Sequence, residues 1–545
     1  MRTPFVLIAL AALLAGCATP PAERPPLLLT ILHTNDHHGR FWPNADGEYG
    51  MAARMTAIAR VRAEVAAAGG QVLLLHGGDI NTGVPESSLQ DAEPDFIGMN
   101  LLGYDASAVG NHEFDKSPAV QAKQRAWSQF ALISANIYKA DGQRVYPPYV
   151  ILNRGGYRIA VLGLTTDDTA KLSLPDNVAG LEFRKPADEA AKLLPELHAK
   201  ADIVIATTHM GHYPDGRRGV NAPGDVEMAR SLPAGNTGGS QAGLNLIVGG
   251  HSHDPVCMLR ENVRNEAYTP GSPCWPDQQN GTWIVQANEW GKYLGRADFE
   301  VRDGQMKLLK YELIPINLVQ RLPDGSKRPA SAAIPEDPAV RAALLPFQQR
   351  GQLALNVPVG EAIGVFDGDR ARIRQQPTNL GSMLARAMLE KTGADLAVMN
   401  SGGIRDSLPA GRLTFRDLLK VQPFGNELAV VRMKGSELFT WLAAAAAMTP
   451  GAGGYPQTAG VQMRIEAGVL KEARVQGRPI DPLADYRLAI NHFTATGGDG
   501  FPVLQQHPGY INTGFVDADV LRDYIAARSP IKAADYTPGD DVQRK

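Results

Sequence analysis

The chain has 545 residues, of which 44% are hydrophobic and 20% charged, a globular composition that excludes a disordered or membrane-embedded protein. Its 54 basic and 57 acidic residues leave a net charge of −3 without a large basic block, which argues against a polynucleotide partner but not against small anions. So long a chain exceeds what one hydrophobic core usually serves, and two domains are expected.

Residues 1–17 read as an export signal rather than a fold element. Arg2 supplies the positive start, and Phe5 to Leu14 form an apolar stretch too short to cross a bilayer. Leu14-Ala15-Gly16-Cys17 resembles a bacterial lipobox, in which Cys17 carries lipid and becomes the mature N-terminus; cleavage beside an incidental cysteine is the alternative. Ala18 follows, without the aspartate that marks inner-membrane retention in enterobacteria. A periplasmic protein anchored to the outer rather than the inner membrane is therefore expected. Residues 18–26, rich in Pro and Ala, read as a tether. In an oxidising compartment the other two cysteines, Cys257 and Cys274, are expected to form a structural disulfide, with two unrelated buried thiols as the alternative.

From Leu27 onward strands and helices alternate. The run Leu28 to Leu32 reads as a strand that ends in Asn35-Asp36-His37-His38-Gly39. Met51 to Ala68 is an Ala-rich helix stopped by Gly69-Gly70. Strand Val72 to Leu75 runs into Gly77-Gly78-Asp79, and Ala106 to Val109 into Gly110-Asn111-His112-Glu113-Phe114-Asp115. Tyr157 to Leu164 is a further strand and Lys185 to Ala199 a second helix. Ile203 to Ala206 leads into Thr208-His209-Met210-Gly211-His212, and Leu246 to Val248 into Gly249-Gly250-His251-Ser252-His253. Thr282 to Ile314 alternates as strands do, with a turn at Arg302-Asp303-Gly304, so the first fold is a mixed α/β sheet with helices around it. Arg321 to Glu336 is polar, holds three prolines and reads as a surface connection. Asp337 and Pro338 then open a helix with Val340, Leu344 and Phe347 on one face and a kink expected at Pro346. Beyond it, Leu380 to Lys391 and Ser436 to Ala447 read as helices, Ala394 to Met399 and Leu428 to Met433 as strands.

Sites in α/β sheets form outside the carboxyl ends of strands, so the five polar turns can meet in one crevice. In an extended segment, Asp36 and His38 would point the same way, and so would His251 and His253. Asp79 adds a carboxylate able to bridge two cations, Asn111 an amide oxygen and His209 an imidazole. Hard oxygens mixed with imidazoles suit zinc, manganese or cobalt. Each cluster alone reads as a turn or a packed histidine; their joint occurrence argues for a metal centre.

These five clusters resemble the calcineurin-like metallophosphoesterase signature, and their order is similar to that of the 5′-nucleotidase family. The stretches Gly78 to Glu86, Asn221 to Arg230 and Asp277 to Gly281 are similar to its bacterial periplasmic UDP-sugar hydrolase/5′-nucleotidase members. The resemblance implies a four-layer catalytic domain over 27–336, a linker helix over 337–356 and a smaller α/β nucleotide-binding domain over 357–545. It implies one divalent cation among Asp36, His38, Asp79 and His253, and a second among Asp79, Asn111, His209 and His251. His112 would stabilise charge on the phosphoryl group, with Asp115 orienting its ring. The enterobacterial enzyme has glutamine where this chain has His253, so a different metal preference is expected. The other histidines are assigned to packing, supporting or surface roles.

In the second domain, composition alone would make Phe424 and Phe493 core residues and Arg370, Arg374 and Arg405 surface charges. The resemblance instead implies a base sandwiched between the two phenylalanines and phosphate or ribose held by the three arginines. It places Asn426 and Gly453 at the base and Asp499 at the ribose hydroxyls, with the domains closing over substrate. The activity implied is hydrolysis of nucleoside 5′-monophosphates and UDP-sugars by a monomer. A 2′,3′-cyclic-nucleotide phosphodiesterase/3′-nucleotidase is the alternative, and a non-catalytic nucleotide-binding lipoprotein a third reading.

Overall fold

The computed structural model describes residues 24–544 except 82, 174–176, 214–222, 240–241, 323–325 and 540–541, so Cys17, the signal segment and part of the Asn221 motif lie outside it. The N-terminal half is built on two six-stranded sheets. In the first, Leu27–Thr34, Gln71–His76, Ala106–Ala108 and Ala131–Ile133 run parallel, with Tyr293–Arg302 and Gln305–Pro315 added antiparallel at one edge. In the second, Thr282–Val285, Leu246–Val248, Ile203–His209 and Tyr157–Thr165 are parallel, flanked by antiparallel Asp277–Gln279 and Tyr149–Arg154.

Strand alternation sorts the side chains into layers. Leu29 and Ile31 join Leu73, Val161, Ile205 and Val248 between the sheets. Leu32 and Leu74 face outward onto helices Met51–Ala67 and Glu93–Leu102. On the other flank Val204 and Ile247 pack under Leu193 and Leu197 of helix Pro186–Lys200. The result is the expected four-layer sandwich, helices outside and two sheets inside. Because both sheets are largely parallel, their carboxyl ends lie together at one rim, where the polar turns gather. Cys257 and Cys274 are bonded, closing a loop beside the inter-sheet core.

The polar connection after Gln320 is more ordered than its sequence indicates. Lys327–Pro329 pairs with Val319–Arg321 as a small hairpin, and Ile334 is buried against the first core because an apolar side chain there covers the helix entering behind it. Helix Pro338–Leu355 follows, with the Asp337 carboxylate accepting the amides of Ala339 and Val340 at 3.0 and 2.9 Å. It continues through Pro346 as one element. Val340 and Leu344 belong to the first half's core and Leu355 to the second's, so the helix is anchored in both.

The C-terminal half centres on a five-stranded sheet in the order Pro456–Ala459, Leu396–Asn400, Asp485–Asn491, Glu427–Lys434, Tyr510–Val516. Helices Asn379–Thr392 and Asp517–Arg528 cover one face, and helix Gly435–Ala446 with strands Val461–Glu466 and Val469–Val475 covers the other.

Candidate metal centre

The five turns do converge. One oxygen or nitrogen from each of Asp36, His38, Asp79 and His253 lies within 4.8 Å of the others, and a second such group joins Asp79, His209 and His251. Asp79 is common to both, as a bridging carboxylate must be. The Asn111 amide oxygen stands 3.1 Å from His209 Nε2 and 3.0 Å from His251 Nδ1, so it completes the second group.

Convergence is not achieved by extended backbone, contrary to the alternation argument for Asp36/His38 and His251/His253. Asp36, His38, Asp79, His251 and His253 all have positive φ, between 50° and 77°. Left-handed turns at the strand ends, not the pleat, swing these side chains inward. Backbone of this kind is rare for residues other than glycine and gathers at functional sites.

The turns are tied to one another through their backbone. Glu113 accepts the amides of Asp79, Ile80, Asn81 and Gly110 at 3.1, 2.7, 3.1 and 2.6 Å, joining two turns with one buried carboxylate. Burial and nearby Asp79 push its pKa up to about 7, against the amides, which favour the charged form. Asn35 donates to Asp36 Oδ2 at 2.6 Å and accepts the Ala287 amide at 2.7 Å. Thr208 donates to buried Asp225 at 2.7 Å beneath the His209 turn.

The donor chemistry fits cations. His38 Nδ1 donates to Asn81 O at 3.0 Å and His253 Nδ1 to Glu289 at 2.7 Å, which turns their Nε2 atoms towards each other at 3.1 Å. His209 Nδ1 likewise donates to Gly77 O at 2.7 Å, with its Nε2 3.2 Å from His251 Nδ1 and 2.9 Å from Asp79 Oδ2. Ring nitrogens this close require positive charge between them, either a proton on one ring or a cation. The titration tendencies agree. Burial disfavours ionising Asp36 and Asp79, yet the surrounding imidazoles hold both below the usual carboxylate range. Burial likewise disfavours charge on His209 and His253, yet Asp79 and Asp36 draw them up to about 9 and about 10. The site as a whole demands positive charge.

His112 borders this cluster. Its Nδ1 meets Asp115 Oδ2 at 2.7 Å, its amide donates to Asp79 Oδ1 at 2.9 Å, and its Nε2 is 4.0 Å from Asp79 Oδ2. Although burial opposes it, Asp115 and Asp79 raise its pKa well above the ordinary imidazole value, which favours the charged ring. Glu113, Asn35 and Glu289 were missed from sequence. Glu113 lies inside a quoted motif but reads as an ordinary acidic residue, and nothing local links Glu289 to His253.

In the C-terminal half, Phe424 and Phe493 are 56% and 42% exposed, which rejects the core reading that composition alone favours. Gly498 packs beneath the Phe493 ring, where a Cβ would stand 2.4 Å from it. Arg405 lies over the Phe424 ring at 5.5 Å, and burial together with Arg370 and Arg405 lowers the Arg374 pKa, so the three guanidiniums share one neighbourhood. Asp499, near Arg374, accepts from Asn400 at 2.7 Å and abuts Gly453, where a Cβ would come within 2.5 Å of its carboxylate. The Asn426 carbonyl accepts the Asp517 amide at 2.8 Å. Glu427 and His492 of this half lie near enough to His112 to feel its charge.

Residues 29–255 match the calcineurin-like phosphoesterase family, and residues 356–506 match the 5′-nucleotidase C-terminal domain. The chain is 53% identical over 521 residues to Protein UshA of Escherichia coli (strain K12), spanning 94% of each. It is 51% identical over 544 residues to a 5′-nucleotidase of Vibrio cholerae, spanning 98% of this chain and 97% of that one. Among solved structures it resembles the 5′-nucleotidase precursor from Thermus thermophilus, at 30% identity and a TM-score of 0.58, over 95% of this chain and 99% of that one. With a dimetal-type cluster at the rim of a calcineurin-like sandwich and a nucleotidase C-terminal domain behind it, the chain belongs to the 5′-nucleotidase family of metal-dependent phosphohydrolases acting on nucleotides.

Proposed function

We propose that the protein hydrolyses nucleoside 5′-monophosphates to nucleoside and phosphate, and UDP-sugars to UMP and sugar 1-phosphate. The observation that carries this reading is the pair of donor groups sharing Asp79, with His112, its charged form favoured, beside them. Residues 27–336 form the catalytic domain, 337–356 the linker and 357–545 the nucleotide-binding domain. Asp36, His38, Asp79 and His253 hold one divalent cation, and Asp79, Asn111, His209 and His251 the other. Zinc, manganese and cobalt suit this mixture of oxygens and imidazoles. When bound, such a pair lowers the pKa of water and offsets charge on the phosphoryl oxygens.

The chain's own residues supply the rest. His112 presents a positive ring to the phosphoryl oxygens as charge builds, and Asp115 fixes its orientation and keeps it protonated. Arg370, Arg374 and Arg405 hold phosphate or ribose, Phe424 and Phe493 take the base between their exposed faces, Asn426 and Gly453 contact its edge, and Asp499 accepts the ribose hydroxyls. Base recognition and chemistry lie on different domains, so turnover requires the two to close on the substrate. The export signal and Cys17 support a periplasmic protein carrying a lipid anchor. No helix among the described residues is long and apolar enough to cross a membrane.

Phosphate release from AMP, 3′-AMP, a 2′,3′-cyclic nucleotide and UDP-glucose tests the reading, with and without chelator. Turnover of AMP and UDP-glucose that stops on chelation and returns with zinc, manganese or cobalt is expected. A preparation active only on the 3′ and cyclic substrates rejects it.

A further inference from the structure

A cavity of about 380 Å³ lies between the continuations of two ligand turns and the linker helix. Gly39 to Ala45, immediately after His38, form one wall; Val84 and Glu86, a few residues after Asp79, form the second; Gln348 and Gln352 of the linker helix form the third. It therefore adjoins the side of the centre built by Asp36, His38, Asp79 and His253. The residues on its wall have a consistent chemistry. Arg40 donates to His38 O at 3.2 Å and stacks on Trp290 at 3.7 Å; its charge is felt by the Tyr49 hydroxyl, which also bonds Asn44. Trp42 is half-buried, with Arg341 over its ring at 4.8 Å. Glu86 accepts from Gln352 at 2.6 Å through one carboxylate oxygen.

Aromatic rings beside amides, a carboxylate and a guanidinium suit a ligand with apolar C–H faces and many hydroxyls. A pyranose is such a ligand. The proposed function also limits where it can go: with the base taken by the C-terminal domain and the diphosphate by the donor groups, the sugar continues into the N-terminal half, away from Phe424 and Phe493. We infer that this cavity is the subsite for the hexose of a nucleotide-sugar, with Trp42 and Tyr49 flanking the ring and Glu86 and Gln348 meeting its hydroxyls. The inference rests on the proposed hydrolysis of UDP-sugars and names the part of the site that would select for them.

The test compares kcat/KM for UDP-glucose and for UMP, which share a base, in the metal-loaded full chain and in Trp42→Ala and Gln348→Ala. The ratio of UDP-glucose to UMP is expected to fall about tenfold in the first and about threefold in the second, as losing roughly 1.4 and 0.7 kcal/mol of sugar contact requires. Product inhibition by glucose 1-phosphate should weaken in step. If both variants keep the parent ratio, or lose both substrates equally, the subsite is overturned while the proposed function stands. A parent enzyme that cleaves UMP but not UDP-glucose overturns the function reading for nucleotide-sugars and this inference with it. Gln348 is only half-buried on the linker helix, so its variant decides the matter where Trp42→Ala folds poorly.

Discussion

Asp36, His38, Asp79, His251 and His253 each sit in left-handed backbone that costs a non-glycine residue roughly 1 kcal/mol or more. They stay there because the amides around them are committed elsewhere: four to Glu113, and that of His251 to Asp36 at 3.0 Å. Strain at these residues is thus held by supporting carboxylates and amides. His253 depends on Glu289, which Lys292 in turn holds at 2.6 Å. Glu289→Gln is expected to weaken one of the two cations by about 10- to 100-fold while leaving the other bound, as read by metal titration followed by dialysis. His112→Ala is expected to lower kcat by about 10²–10³-fold with metal content unchanged, since the ring acts on charge in the transition state and binds no cation. A variant with parental kcat would remove His112 from the mechanism.

At the scale of elements, each ligand turn is placed by the strand before it, and each strand was readable from its apolar run. The turns were readable as polar clusters, but not their left-handed geometry, because φ at Asp36 or His251 is set by contacts with Gly78 and Asp36 far away in sequence. The disulfide was expected from the pair of cysteines left after Cys17. In the structure both cysteines join the inter-sheet core, and the Met258 amide donates to Trp275 O at 2.9 Å beside the bond. Converting both Cys257 and Cys274 to serine is expected to lower stability by about 3 kcal/mol in the chain-entropy description, measured as a fall in the thermal midpoint that reductant reproduces in the parent. The linker helix shows the opposite balance. Its N-cap, first proline, apolar face and place between the two parts were legible; what no local pattern reveals is that Leu355 enters the second core.

At the scale of the whole molecule, labour is divided between two halves joined by one helix. The candidate metal-binding groups and His112 lie on the first, while exposed aromatic rings and clustered arginines lie on the second. The division predicts separable losses. Phe424→Ala combined with Phe493→Ala is expected to raise KM for AMP by about 10- to 100-fold, because two stacking faces worth roughly 1–3 kcal/mol per base are removed. Hydrolysis of p-nitrophenyl phosphate, which has no nucleobase to seat, should change less than about threefold in the same protein. Equal losses on both substrates would place the phenylalanines in the fold rather than in recognition.

By itself the sequence determined the strand and helix order, the clusters of ligand-type residues, the paired cysteines and the two-part organisation, since each is written in local composition or in periodicity. Only the tertiary structure decided that Asp79 faces both donor groups, that Glu113 and Glu289 hold the turns and His253 in place, and that Phe424 and Phe493 are exposed. Those facts depend on which turns meet at the rim of two largely parallel sheets, and proximity between residues more than two hundred positions apart has no local signature. A carboxylate that bridges cations and one that merely ends a turn are the same residue until the fold surrounds it with imidazoles.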